Sequence, residues 1–135
     1  MTIQFVNNGE VIALEYLVNK NSLTEDLVYR LFTNNITPSE TDTVGTYTEA
    51  TGGGYTSKQL TGTSWTITPG APSVATYARQ DWVFSGALTG SASIYGYYVT
   101  RQTTGDLVFA ERAAQTQTPA NSGDEYRVVP RITAD

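Results

Sequence analysis

Apolar positions repeat with two different periods along this chain, and the switch between them divides it. From Glu10 to Lys20, Val11, Leu14 and Val18 recur at helical spacing, and Ile12, Tyr16 and Leu17 widen the stripe. Asn8 is placed to cap the start, Glu10 suits the positive end of the dipole, and Asn19 and Asn21 suit the exit. A helix this short is marginal alone, so its stripe is expected to dock on the rest of the domain.

From Asp26 the period becomes two. Leu27, Tyr29 and Leu31 alternate with Val28, Arg30 and Phe32, which predicts a strand. A Thr-, Ser- and Asn-rich loop is expected from Asn34 to about Gly54, ending in Gly52-Gly53-Gly54, where the glycines read as backbone flexibility. Short strands follow at Ser57–Leu60, Ser64–Thr68, Ser73–Ala78 and Asp81–Ser85, with the breaker Pro69-Gly70-Ala71-Pro72 among them. Trp65 and Ile67 share a face of the second of these. Ala92–Arg101 is apolar on both faces, with Ile94 and Tyr98 on one and Tyr95, Tyr97 and Val99 on the other, as in a central strand covered on both sides. Asp106–Arg112 comes next, then an irregular connection over Ala113–Asn121. The last strand, Asp124–Thr133, puts Tyr126, Val128 and Ile132 on one face and Glu125, Arg127 and Arg131 on the other, with Pro130 marking an edge or bulge. The expectation is one all-β domain over residues 1–135, an antiparallel sandwich or jelly roll with one short N-terminal helix at about 10–20.

Composition narrows what such a domain does. The chain has 135 residues, a net charge of −5 and eight Lys and Arg, and the basic residues form no run. Phosphate neutralisation needs clustered cations, so direct nucleic-acid binding is not expected, nor attachment to an anionic membrane surface. Nothing reaches the length of a transmembrane helix, and Met1 to Gly9 lacks the charge and apolar core of a signal peptide. A product made in the cytoplasm is expected.

Without His or Cys, the chain has neither a Ser-His-Asp arrangement nor an ordinary zinc or copper site. No catalytic residue, cofactor or metal is assigned, and an enzyme is not expected. Gly52-Gly53-Gly54 lacks the spacing of a phosphate loop. Glu40 and Asp42, approached by Glu111 or Asp106, would be the raw material of a carboxylate pair, and with Asp124 and Glu125 of an oxygen-ligand calcium site. Solvated surface acids are the favoured reading of all of them. Nine Tyr and two Trp remain. Trp65, Trp82, Tyr95, Tyr97 and Tyr98 are the candidate interface or ligand-stacking residues: a sugar-stacking face is one reading, and core or subunit-interface packing is the favoured one.

Four stretches together carry a resemblance: Asn8-Gly9-Glu10-Val11-Ile12-Ala13-Leu14, Leu31-Phe32-Thr33-Asn34-Asn35-Ile36-Thr37-Pro38, Tyr95-Gly96-Tyr97-Tyr98-Val99-Thr100, and the closing Val128 to Asp135. The chain resembles small virion structural proteins of tailed bacteriophages. The resemblance implies capsid decoration (cement), a tail or fibre part, or head–tail connection. The expected function is capsid decoration on the major capsid protein lattice, with a tail-fibre or receptor-binding module, carbohydrate-binding in one form, as the alternative. A homo-oligomer is expected, since Trp65, Trp82, Phe84, Tyr95, Tyr97, Tyr98 and Phe109 exceed what one thin sandwich easily hides, and the resemblance implies a homo-trimer, because decoration proteins often sit on local three-fold axes. The N-terminal stretch and the Thr33–Gly54 loop are either an ordinary terminus and loop, the favoured reading, or arms reaching a neighbour.

Overall fold

A computed structural model describes residues 3–19 and 24–134, so the helix exit expected at Asn21 lies outside the described residues. Within them the chain is mostly β, with one helix. The strands are β1 (Gln4–Phe5), β2 (Leu27–Phe32), β3 (Lys58–Leu60), β4 (Thr66–Thr68), β5 (Ser73–Thr76), β6 (Gln80–Val83), β7 (Ile94–Arg101), β8 (Leu107–Gln117), β9 (Glu125–Val128) and β10 (Arg131–Ala134). Helix α1 spans Asn7–Asn19. All strand pairings are antiparallel. A five-stranded sheet runs β1-β8-β7-β2-β3, a three-stranded sheet β10-β5-β4, and β6 pairs with β9.

The alternation in β2 sets the layers. Tyr29 and Leu31 join Tyr97, Val99 and Phe109 on one face of the large sheet, where Trp82, Phe84, Leu88 and Tyr126 close over them. Phe32 lies on the other face with Val6, Tyr98, Leu107 and Ala110. As its two apolar faces predicted, β7 is central and almost wholly buried.

Residues 33–57 cover the second face. Tyr47 stacks on Tyr98 with ring centroids 5.0 Å apart and meets Phe32 edge-on at 5.1 Å. Asn34 clamps the segment by donating to Thr46 O (2.8 Å) and accepting from Thr48 N (2.9 Å). Arg112 donates to the Ile36 carbonyl and to Asn35 Oδ1. The β2–β3 ladder pairs only Leu27 to Tyr29, so Leu31 N–H would lack a partner on that side. It donates instead to the Tyr55 hydroxyl (3.1 Å), which donates to Glu49 Oε1 (3.0 Å), and Glu49 in turn pairs with Arg30. The three glycines each adopt a positive φ, the backbone freedom expected of the run, and Gly53 O accepts from Ser85 N.

Several expectations are corrected. The helix starts at Asn7, so Asn8 lies inside it. The irregular connection expected from Ala113 begins later, because β8 runs on to Gln117. The last strand is two: the chain leaves β9 at Val128, passes the buried Pro130 and enters a different sheet as β10, since proline cannot continue the ladder. The strand expected at Ser64–Thr68 is shorter, β4 beginning at Thr66, and Ile67 on it is 73% exposed at a sheet edge.

The helix departs furthest from its expectation. Its buried residues are Gly9 and Ile12. A Cβ on Gly9 would lie 2.1 Å from Val108 O, so the missing side chain lets the helix lie against the backbone of β8. At about 100° per residue, Val11, Leu14 and Val18 fall roughly 140–200° round the helix from Gly9. They are 51%, 58% and 67% exposed. Of the expected stripe only Ile12 docks on the domain; Val11, Leu14 and Val18 point away from it.

Candidate functional site

The aromatic residues singled out in the sequence do not form one surface. Trp82 is buried and its Nε1 donates to Thr56 O (2.8 Å). Tyr98 is buried under Tyr47. Trp65 is half-buried and meets Tyr77 edge-on. Tyr95 and Tyr97 were expected to point the same way, but an irregularity in the β7–β8 register between Ile94 and Gly96 separates them. Tyr95 packs beside Tyr98 on the second face, with the Arg112 guanidinium over its ring, while Tyr97 belongs to the first. The premise of an aromatic excess also falls. Trp82, Phe84, Tyr97, Tyr98 and Phe109 are all buried within the single chain, because both faces of the large sheet are covered.

The acids are placed apart as well. Asp42 accepts from the Tyr47 hydroxyl (2.7 Å) and Ser39 N (2.9 Å) on the second face. Asp124 accepts from Ala120 N and Asn121 N, bonds that hold its carboxyl below the usual range. Asp106 pairs with Arg101. Glu111 lies on the opposite face of the sheet from Asp42, so no carboxylate pair forms. Among the described residues, no three His, Cys, Asp or Glu side chains gather as a metal site requires.

Glu111 is where polar chemistry converges. It sits opposite Tyr97 in the β7–β8 register, and the Tyr97 hydroxyl donates to its Oε2. Tyr29 stacks on Tyr97 with centroids 5.0 Å apart. Its hydroxyl is buried and has no hydrogen-bond partner among the described residues. Burial first, and the nearby Glu111 charge second, push Tyr126 up to about 12 and Tyr29 higher still. Tyr97 is raised by burial and then by its bond to Glu111. All three phenols therefore keep their protons over the ordinary pH range and face the carboxylate as O–H groups.

A cleft of about 480 Å³ opens on this group. The edge strand β1 supplies Ile3 and Phe5, the sheet face supplies Tyr97 and Glu111, and the β9–β10 corner supplies Val129, Arg131, Ile132 and Thr133. A second hollow of about 210 Å³ shares Tyr97, Glu111 and Val129 and adds Tyr126 and Arg127. Pro130 contributes indirectly: the chain changes sheets there, and the first residues of β10, Arg131 to Thr133, join the lining. Of the five residues proposed from sequence, only Tyr97 lines it. Glu111 had a signal of its own, since it follows Phe109 by two residues and therefore shares that residue's inward face.

No protein-family model, curated protein or solved structure matches this chain. The functional reading rests on the molecule's own surfaces.

Proposed function

We propose that the chain is a virion structural protein, a capsid decoration (cement) protein of a tailed bacteriophage. Its scaffold in this reading is an antiparallel sandwich, supported by Trp82 and Tyr126 of the β6–β9 pair and Ile132 of β10, which pack with the core residues of the large sheet. In this reading it sits on the major capsid protein lattice as a homo-trimer, a state that follows from the resemblance to decoration proteins and not from the aromatic content. The observation that carries the reading is the outward stripe of α1. A contiguous apolar strip on an otherwise polar surface marks an interaction surface, and Val11, Leu14 and Val18, each more than half exposed, form one. Glu10 and Glu15 flank the stripe at roughly 100° and 240° from Gly9, so the surface it fits is an apolar groove with a basic rim. A cement protein engages several shell subunits at once, and multivalency turns modest single contacts into stable attachment.

The test mixes purified protein separately with expanded shells lacking decoration, with unassembled shell subunits, and with host cells. Saturable binding to shells, weak with free subunits, is expected. Binding to cells and none to shells would overturn the decoration reading in favour of a tail-fibre or receptor-binding module.

A further inference from the structure

We propose that the Glu111–Arg131 cleft is a binding site for a neutral, polyhydroxylated ligand, a saccharide. This does not rest on the assembly reading, which concerns the helix.

The size comes first. At about 480 Å³ the cleft falls within the range of small-molecule sites, roughly 300–1,000 Å³. Ile3, Phe5, Val129 and Ile132 supply one apolar wall, behind which the buried Tyr97 ring is stacked on Tyr29. Such a wall accepts the C–H face of a sugar ring.

The polar groups then select the chemistry. Glu111 presents two carboxylate oxygens, and Tyr97 occupies one, Oε2. Oε1 has no partner among the described residues and is an open acceptor for a hydroxyl proton. Arg131 is exposed, enters no ion pair among the described residues, and adds donors to the lining of the same cleft. Thr133 adds a hydroxyl that both donates and accepts.

The two charges decide between ligand classes. Glu111 and Arg131 cancel, so an anionic ligand gains at Arg131 what it loses at Glu111, and a cationic one the reverse. A neutral ligand with adjacent hydroxyls satisfies both, donating to the carboxylate and accepting from the guanidinium. The bond from Tyr97 holds Glu111 in place before any ligand arrives, which lowers the ordering cost of binding.

The experiment follows backbone amide shifts of the full chain while glucose, galactose and N-acetylglucosamine are titrated, with glucuronate and glucosamine as charged counterparts. Saturable shifts at Tyr97, Glu111, Arg131 and Thr133 with at least one neutral sugar, stronger than with either charged sugar, are expected. E111Q keeps an acceptor for Tyr97 and preserves the fold, but removes the charge; it weakens binding about tenfold, the loss of a charge-assisted hydrogen bond. R131A alters an exposed side chain and weakens binding similarly. Absence of saturable shifts at these residues, preference for a charged sugar, or variants that bind as tightly as the parent would overturn the proposal.

Discussion

Residues 33–57 and helix α1 invert what their local structure suggests. The first segment is polar and mostly irregular, yet it carries Tyr47 and Ala50 into the interior and is tied down by Asn34, Arg112, Tyr55 and Glu49. The second is a regular helix rich in large aliphatic residues, yet it is held by a glycine and one isoleucine. Apolar content therefore does not measure how far an element is integrated. What matters is which way its side chains point once the backbone is placed, and in α1 a single missing Cβ decides that. The loop belongs to the core, and the helix belongs to the surface.

The sharpest way to break this comparison is Tyr47→Ala. The ring fills the space between Tyr98 and Phe32, and its hydroxyl bonds Asp42. Removing a buried aromatic of this kind costs about 3–5 kcal/mol. Urea unfolding of the variant should show a loss in that range with an unchanged slope. A loss below about 1 kcal/mol, the scale of an ordinary surface change, would mean that the loop only rests on the sheet.

Gly9→Ala tests the other side with a smaller effect. Alanine favours a helix over glycine by about 1 kcal/mol, so on propensity alone the variant would be more stable. The new Cβ meets a backbone oxygen of β8, which cannot yield without displacing the strand. Overpacking of this kind costs about 1–3 kcal/mol, and a net loss is expected. Hydrogen exchange should show faster exchange in α1 with the amides of β7 and β2 unchanged. A gain in stability would show that the helix is not seated on β8.

Much of this was legible in the sequence. The period of two in β2 and in the strands ending the chain placed Tyr29, Leu31, Tyr126 and Ile132 inward, and β7 declared itself central by having two apolar faces. The direction of α1 was not legible. Periodicity shows that a stripe exists and not which side meets the protein, and the residue that decides it, Gly9, contributes nothing to a hydrophobic pattern. The misplacement of Tyr95 has the same origin. Strict alternation predicts that residues 95 and 97 share a face, and one register irregularity reverses this without any trace in composition. The cleft escaped because its two charges lie 20 positions apart, joined only when the chain changes sheets at Pro130.

The smallest expected effect on stability carries the largest consequence for function. Changing Leu14 and Val18 together to Lys replaces two large aliphatic groups on the second half of helix α1. Were the stripe packed against the domain, each truncation of that packing would cost about 2–5 kcal/mol. Both residues are more than half exposed, and Lys has a helix propensity close to that of Leu and better than that of Val. The double variant should therefore unfold within about 0.5 kcal/mol of the parent, as surface changes do. Its binding to undecorated shells should nevertheless fall at least tenfold, because two cations now face the basic rim inferred for the groove. The two measurements together separate the possible roles of the stripe. Lost stability would return α1 to the core and remove the basis of the assembly proposal. Unchanged stability with unchanged shell binding would leave the helix outside but move the contact to another surface. Unchanged stability with lost binding is the outcome that a helix docked through its glycine side, with its apolar stripe turned toward a partner, requires.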